Sequence, residues 1–270
     1  MGVTVPRFSL SQVTTLTWPF ERDLDAYAAA GAPAIGVSVH KLETIGMARG
    51  IRLVRERGLP VSCLTSSGPI PLDDPARAAA AVARAREHLA AAAELGAACL
   101  MLLPGASPGL PWDEAAARAR EHVEALRPDA RRLRVRLALE PVSQLRMDLC
   151  FLHSFHDALD FVDTIGAPEV GAVLELNNAW IERHLDANIA TRTERIAVVQ
   201  VSDFKVGTLR ASERVMIGDG DIPLRRLVHA LAAAGYRGWY DIELLGPAIE
   251  ASGYDAVVPQ ALARFRELWT

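Results

Sequence analysis

Three carboxylate side chains stand where predicted strands end, and an amide stands in a fourth strand of the same kind. Glu140 closes LALE, Glu175 closes AVLE and Glu243 follows YDI, while Gln200 lies inside VVQVSD. Each is separated from the next by about one strand, one helix and their connections. In a barrel of parallel strands, the carboxyl ends share one face, so this spacing predicts that the four side chains meet at one mouth.

Carboxylates gathered in a partly dry pocket repel one another, so a cationic group must offset their charge. Four oxygen-bearing side chains favour a divalent metal, and oxygen donors favour Mg²⁺ or Mn²⁺ over an ion that prefers thiolates. The alternative is that each Glu forms a salt bridge or accepts from a helix end. Arg214, Lys205 and Arg146 are available as partners for such salt bridges.

The scaffold predicted to carry these side chains is a single (β/α)8 barrel domain spanning residues 1–270. Short runs rich in strand formers alternate with longer Ala- and Arg-rich segments of helical periodicity, such as 74–96 and 111–128. The runs are FSLSQVT (8–14), AIGVSVH (34–40), LPVSCLT (59–65), ACLMLLP (98–104), RVRLALE (134–140), GAVLE (171–175), IAVVQVSD (196–203) and WYDIEL (239–244). They lack strict polar alternation, which indicates a parallel sheet covered by helices. A doubly wound open sheet is the alternative.

Helix ends are marked by residues with known conformational preferences. A glycine follows each of five helical segments, where a left-handed residue is favoured. These glycines are Gly31, Gly58, Gly96, Gly166 and Gly235. Asp113 is predicted to cap the helix that follows it, and another helix is predicted to begin near Pro223.

Composition limits the partners of the chain. It has 270 residues, 50% of them hydrophobic, and a net charge of -4, which argues against nucleic acid or an anionic membrane as the main partner. No apolar run approaches the roughly 20 residues of a membrane helix, and no signal peptide is predicted. The three cysteines are interpreted as buried free thiols of a cytoplasmic protein.

Several longer stretches resemble the sugar phosphate isomerase/epimerase family of xylose isomerase-like barrels. The match rests on LALEP (137–141), on residues 156–180, on VVQVSDF (198–204), on residues 213–244 and, more weakly, on residues 14–38. The most specific part is an Arg, then GDG, then a helix, then AGY-G and a strand ending in Glu. Nearly the whole chain is covered, so the resemblance implies the same barrel.

The family resemblance implies one divalent metal, commonly Mn²⁺, Mg²⁺ or Co²⁺, held by Glu, Asp, His and Glu. In this sequence those positions are Glu140, Glu175, Gln200 and Glu243. The resemblance also implies substrate contacts from Asn178, where the family has His, and from Arg214. A homodimer or homotetramer is implied as well.

Three of these positions depart from the family pattern. Glu175 is one methylene longer than Asp, Gln200 is a neutral oxygen donor in place of His, and Asn178 can hydrogen-bond but cannot transfer protons near neutral pH. Two further substrate contacts are predicted from position. His40 is the only histidine at the end of a predicted strand, and Asp203 lies just beyond another.

The predicted activity is proton abstraction beside a carbonyl through an enediolate, with Glu140 and Glu243 as the two proton-transferring groups. A polyhydroxylated carbonyl compound is the expected substrate, and isomerisation or epimerisation the expected outcome. Loss of a β-hydroxyl from the same enolate would give a dehydratase or lyase instead, and Gln200 resembles the ligand of some dehydroshikimate dehydratases. A barrel that binds a ligand without turnover is the third hypothesis.

Two local patterns are interpreted as structural. Gly218-Asp219-Gly220 lacks the surroundings of a dinucleotide-binding loop and is predicted to be a turn that positions Arg214. Ser62 and Ser67 have no partnered His nearby, so no nucleophilic serine is predicted.

Overall fold

The computed structural model describes residues 6–270 and shows a closed barrel of eight parallel strands in the order β1 to β8. The strands are β1 Phe8–Ser11, β2 Ile35–Ser38, β3 Val61–Ser67, β4 Cys99–Leu102, β5 Arg136–Leu139, β6 Val170–Glu175, β7 Ile196–Val201 and β8 Trp239–Ile242. The predicted (β/α)8 barrel is confirmed, and the open-sheet alternative is wrong because β8 pairs with β1.

Helices connect the strands and cover the outside of the barrel. They are α1 Phe20–Ala29, α2 Val39–Ile45, α3 Met47–Arg57, α4 Pro75–Leu95, α5 Trp112–Leu133, α6 Phe155–Ile165, α7 Leu176–Ala179, α8 Leu185–Thr191, α9 Leu224–Ala233, α10 Pro247–Ser252 and α11 Tyr254–Glu267. Short 3₁₀ helices occupy Gln144–Arg146 and Thr193–Arg195. In the described part of the chain, every helix is too short or too polar to span a lipid bilayer.

The helix ends largely follow the sequence signals. All five predicted terminal glycines have positive φ, between 63° at Gly58 and 85° at Gly235. Helix α9 begins directly after Pro223, as predicted. The prediction for Asp113 is wrong, because α5 begins one residue earlier, at Trp112, and Asp113 lies in its first turn. There its negative charge still favours the positive end of the helix dipole.

Several predicted strands continue past the observed strand ends, and in two of them the difference matters for the site. The second strand ends at Ser38, so Val39 and His40 form the first turn of α2. The Ser38 side chain accepts a hydrogen bond from the Lys41 backbone N–H, which is the standard helix N-cap. The seventh strand ends at Val201, which places Asp203 in the following loop.

The interior of the barrel is apolar at its amino-terminal end and polar towards its mouth. The apolar cluster consists of Ala34, Cys63, Cys99, Met101, Ala138, Val173, Ala197, Val198 and Trp239. Cys63, Cys99 and Cys150 are buried and free, as predicted. Because side chains alternate along a strand, Trp239, Asp241 and Glu243 rise through the interior towards the mouth.

A buried ion pair fixes the loop between β1 and α1. Lys41 Nζ lies 2.7 Å from Asp23 Oδ2, and the two side chains are 7% and 0% exposed. Lys41 also donates to the Thr15 backbone oxygen, while the Thr15 hydroxyl and the Gln12 amide donate to the Asp23 carboxylate. This network joins α1 and α2 to the loop that supplies Val13 to the mouth.

Removing the cation of this pair should destabilise the fold. In Lys41→Met, Asp23 keeps a buried charge without a partner, which costs roughly 3 to 5 kcal/mol in the free energy of unfolding. The double variant Asp23→Asn/Lys41→Met should recover more than half of that loss, because neither charge remains. Urea unfolding checks both, and a cost below about 1 kcal/mol for Lys41→Met would mean that the pair contributes no more than a surface salt bridge.

Candidate active site

The mouth of the barrel is a pocket of about 250 Å³ at the carboxyl ends of the strands. Six of the predicted site residues line it: Glu140, Glu175, Asn178, Gln200, Arg214 and Glu243. The register of β6 and β7 explains part of this convergence, since Glu175 and Gln200 are directly paired. Glu140 and Glu243 each follow the last residue of their strands, β5 and β8.

Glu175 and Arg214 form a buried ion pair at one side of the pocket. The Arg214 guanidinium donates to Glu175 Oε1 at 3.0 Å, and the two side chains are 7% and 5% exposed. Burial raises the pKa of the Glu175 carboxyl above 4.5, while the guanidinium opposes that shift. Arg214 also donates to the Ala211 backbone oxygen, but its Nε has no partner among residues 6–270.

Gln200 is the least satisfied polar side chain of the site. It is 1% exposed, and neither its amide oxygen nor its amide nitrogen has a hydrogen-bond partner within residues 6–270. Leaving a buried polar group unpaired costs on the order of 1 to 3 kcal/mol. An amide in this state indicates that a group from outside the chain completes its interactions.

Glu140 and Glu243 line the pocket, and within residues 6–270 their carboxyl groups form no hydrogen bond. Burial raises the pKa of Glu140 to about 8, and the neighbouring Glu175 carboxylate adds to the shift. Burial, Glu140 and Glu175 raise the pKa of Glu243 well above its ordinary 4.5. Arg214 opposes both shifts but does not cancel them. The site therefore contains three carboxyl groups and the Arg214 guanidinium, while Arg146, which also lines the pocket, is paired with Asp148. Raised pKa values relieve the repulsion between the carboxyl groups.

The donor chemistry fits an oxygen-preferring divalent cation. The possible ligands are the carboxyl groups of Glu140 and Glu243, the Glu175 carboxylate, which also binds Arg214, and the Gln200 amide, which has no partner among residues 6–270. All of them offer oxygen atoms, the ligand type that Mg²⁺ and Mn²⁺ prefer. Among residues 6–270, no three His, Cys, Asp or Glu side chains converge as a preformed metal site. A metal at this mouth would have to draw Glu140 and Glu243 together and use the Gln200 amide.

The structure does not bring two of the predicted substrate contacts to the mouth. His40 is exposed on α2, because the chain turns into a helix one residue before it, and it lies outside the pocket lining. Asp203 is 1% exposed, and its carboxylate accepts from the backbone N–H groups of Phe204, Gly218, Gly220 and Ile222. Both predictions are corrected: His40 is a surface residue and Asp203 is structural.

The role of Asp203 accounts for the GDG segment. A Cβ at Gly220 would lie within 2.5 Å of the Asp203 carboxyl carbon, so only glycine allows the backbone to wrap around this carboxylate. Backbone hydrogen bonds between Val215 N and Asp203 O, and between Arg214 N and Leu245 O, then hold the segment against the end of β8. The predicted turn positions Arg214, with the Asp203 carboxylate at its centre.

The sequence analysis missed one buried carboxyl group of the barrel interior. Asp241 is fully buried below Glu243, accepts a hydrogen bond of 2.6 Å from the Ser9 hydroxyl, and has a pKa raised to about 6 by burial. Asp241 lies two residues before Glu243 in WYDIEL, and this spacing could have predicted that both side chains point into the barrel. Gly36 faces Asp241, and a Cβ there would lie 2.5 Å from the Asp241 carboxylate.

The expectation that no histidine partners the serines is wrong for Ser67. Its hydroxyl lies 2.9 Å from His88 Nδ1, and His88 Nε2 lies 2.9 Å from Glu43 Oε1. Ser67 and His88 are each 2% exposed and line no described pocket, so the trio joins β3, α4 and α2 rather than forming a nucleophile. Their separation of 21 residues in the sequence concealed the contact.

Comparisons with known proteins agree with this architecture. A family model described as xylose isomerase-like TIM barrel matches residues 24–268. No curated protein matches the chain significantly. Protein SMc04130 from Sinorhizobium meliloti 1021 superposes with a TM-score of 0.90 at 27% identity, over 98% of this chain and 99% of that one.

Two further structures carry functional names. The IolI protein, crystallised with a bound zinc atom, has a TM-score of 0.86 at 18% identity over 97% of each chain. A D-allulose 3-epimerase from Methylomonas sp. has a TM-score of 0.77 at 18% identity, over 99% of this chain and 100% of that one. At these identities the two similarities establish the fold alone.

The crowding of carboxyl groups should be visible in the pH dependence of stability. The Glu140 carboxyl group has a pKa of about 8 in the folded protein, against 4.5 as its ordinary value, because the fold favours the protonated form. The stability that this protonated form contributes is fully present below pH 4.5 and is lost as the pH rises through 8. Glutamine has no such proton to lose. In metal-free protein, Glu140→Gln should therefore gain more than about 1.4 kcal/mol over the wild type between about pH 5 and about pH 9.

Urea unfolding after chelator treatment measures this difference. Glu250→Gln is the matched control, because Glu250 is an exposed glutamate at the same end of the barrel. A stability difference between Glu140→Gln and wild type that does not change with pH would show that Glu140 is not held protonated by its surroundings.

Proposed function

This chain belongs to the xylose isomerase-like TIM barrel family, and we propose that it is an isomerase or epimerase of a hydroxylated carbonyl compound. The observation that carries the proposal is the pair of carboxyl groups of Glu140 and Glu243. They follow strands β5 and β8, line one pocket and form no side-chain hydrogen bond within residues 6–270. Burial raises the pKa of both groups, and neighbouring carboxyl groups of the pocket raise it further. Carboxyl groups in that state exchange protons near neutral pH.

Proton transfer at carbon needs one group that accepts and one that donates. Glu140 is assigned as the base that removes the proton from the carbon beside the carbonyl, and it acts in its ionised form, whose fraction rises as the pH approaches its pKa of about 8. Glu243 is assigned as the acid that returns a proton to the resulting enediolate. Return to the opposite face gives epimerisation, and return to the adjacent carbon gives isomerisation.

The remaining residues of the pocket orient the substrate. The Asn178 amide lines the mouth and can hydrogen-bond a substrate hydroxyl in either sense. Arg214 has an unpaired Nε and a guanidinium fixed by Glu175, so it offers a directed positive group to a carbonyl or alkoxide oxygen. The apolar walls limit water at the reacting carbon.

A divalent metal is part of the proposal. Glu140, Glu175, Gln200 and Glu243 would hold it, and Mn²⁺ or Mg²⁺ suits their oxygen donors, with Co²⁺ as a further candidate. When bound, such an ion polarises the carbonyl group and lowers the pKa of the neighbouring C–H bond. The zinc atom in the IolI structure supports a metal site in a related barrel. The name of the D-allulose 3-epimerase likewise supports a small hydroxylated substrate.

A dehydratase or lyase is the second candidate, and Asn178 favours it. An amide at this position can bind a hydroxyl group but cannot relay the proton that a reversible isomerisation exchanges with the substrate. Elimination of a β-hydroxyl needs only a base for the C–H bond and an acid for the departing oxygen, which Glu140 and Glu243 supply. The two outcomes differ in product but share the first proton abstraction.

Deuterium exchange tests the shared first step. Hydroxyketones incubated with Mn²⁺-supplemented protein in D₂O should exchange the hydrogen beside the carbonyl, and NMR measures the rate. Glu140→Gln should slow the exchange by about 10² to 10⁴-fold, because an amide cannot accept the proton. Glu250→Gln should match the wild type. Exchange that persists unchanged in Glu140→Gln would count against the proposed base, and no exchange with ketoses, inososes or dehydroshikimate-like acids would favour a binding protein without turnover.

Metal binding is tested separately from turnover. Chelator-treated protein titrated with Mn²⁺ should bind about one ion per chain. Electron paramagnetic resonance of the free ion measures the binding. Gln200→Leu, which removes the unpaired amide but keeps the volume, should weaken binding by about tenfold or more. Glu250→Gln again serves as the control. Equal Mn²⁺ affinity in Gln200→Leu and wild type would exclude Gln200 as a ligand.

A further inference from the structure

A second cleft opens directly beside the mouth of the barrel. Its volume is about 690 Å³, against about 250 Å³ for the mouth itself. Its walls come from the loops after β5, β6 and β7, within residues 143–154, 177–182 and 204–211. Clefts that hold small organic ligands typically measure roughly 300 to 1,000 Å³, so the volume suits one such group.

The rim of this cleft is unusually apolar for an exposed surface. Leu145, Ile181 and Val206 line it and are 64%, 73% and 66% exposed. The partly buried rings of Trp180 and Phe204 form its deeper walls. Apolar side chains concentrated on one rim indicate a surface that is covered when the protein functions.

The cleft and the mouth adjoin each other. Ser143, Asn178 and Ala211 line both, so a molecule held at Asn178 can extend from one into the other. Asn177 lies at the same junction. It is 8% exposed, and its Oδ1 has no partner among residues 6–270 although its Nδ2 donates to Asn178. An unpaired buried carbonyl oxygen at the junction is available to a donor on a bound molecule.

The charged groups of the cleft are already engaged. The Glu182 carboxylate accepts from the backbone N–H groups of Phe155 and His156 at 2.6 and 3.1 Å. Arg210 pairs with Glu213 at 3.4 Å. A neutral group therefore fits the cleft better than a phosphate or a carboxylate does.

We propose that this cleft, lined by Leu145, Trp180, Ile181, Phe204 and Val206, binds an apolar, flat substituent of the substrate while the reacting carbonyl lies in the mouth. The substrate class is then a hydroxyketone or related carbonyl compound that carries an aromatic or acyl group, rather than a free monosaccharide. This inference rests on the proposed function for the position of the reacting carbon.

The lining of the mouth has an apolar and a polar part. Val13, Met101, Leu103, Val142 and Leu149 are apolar, whereas Thr65, Ser143 and Ser212 carry hydroxyl groups beside the carboxyl and amide groups. The polar groups around the reacting carbon therefore find hydrogen-bonding partners in the mouth, and the adjoining cleft offers the exposed apolar surface for a substituent without such groups.

The test compares two hydroxyketones that differ only in a phenyl group, 1-hydroxybutan-2-one and 1-hydroxy-4-phenylbutan-2-one. Full-length protein with Mn²⁺ should bind the phenyl compound at least about tenfold more tightly, as measured by equilibrium dialysis. In Ile181→Ser/Val206→Ser this preference should fall by about tenfold, because the apolar contact is lost. Both side chains are exposed, so the substitutions leave the packing of the barrel intact.

Leu16→Ser is the matched control. Leu16 is 50% exposed and lies on the same face of the barrel, in the loop after β1, but it lines neither the mouth nor the cleft. It should keep the wild-type preference. Equal binding of the two compounds by the wild type, or an unchanged preference in Ile181→Ser/Val206→Ser, would overturn the proposal.

Sedimentation equilibrium adds a second decisive outcome. If the wild type is a dimer and Ile181→Ser/Val206→Ser is a monomer, the rim is an interface with a second copy and the proposal is wrong. The failure of the proposed function would look different. In that case the phenyl compound would still bind through the cleft, but neither compound would exchange deuterium in a manner that depends on Glu140.

Discussion

An imbalance of charge inside the barrel mouth is the constraint on which the rest of the site depends. Glu140, Glu175 and Glu243 share this space with the guanidinium of Arg214, whose one carboxylate partner among the described residues is Glu175, and with Arg146, which is paired with Asp148. The other two carboxyl groups have no cationic partner and therefore hold protons more tightly. Such an arrangement costs stability, and proteins retain it where the groups take part in chemistry or receive a cation.

The scaffold maintains this imbalance through interactions at a distance from the mouth. Asp203 gathers four backbone N–H groups and thereby fixes the segment that carries Arg214. The buried pair of Lys41 and Asp23 fixes the loop after β1. Each of these carboxylates accepts several hydrogen bonds, and Asp23 also pairs with a cation, whereas Glu140 and Glu243 form no side-chain hydrogen bond within residues 6–270. The protein thus satisfies its structural carboxylates and leaves those of the mouth unsatisfied, which separates the two roles on physical grounds.

The sequence predicted the barrel and the floor of its mouth because both follow from local periodicity. Strand ends carry the floor, so Glu140, Glu175, Gln200 and Glu243 could be placed on one face before any contact was known. Contacts between distant segments could not be predicted in this way. The bond of Ser67 with His88, the wrapping of the GDG segment around Asp203 and the turn that exposes His40 all depend on tertiary packing or on a helix that begins one residue early. The buried position of Asp241 could have been predicted, because it lies two residues before Glu243 in the same strand segment and therefore points into the barrel as well.

The mouth and the adjoining cleft are formed by different kinds of structure. The floor is formed at strand ends, where the hydrogen-bond register of the barrel sets the position of each side chain, so its chemistry is tightly constrained. The cleft is formed by loops on which Leu145, Ile181 and Val206 are largely exposed. Substitutions such as those at Ile181 or Val206 can therefore change what is bound without disturbing the carboxyl groups. In the function proposed above, the strands set the type of reaction and the loops after β5, β6 and β7 set the choice of substrate.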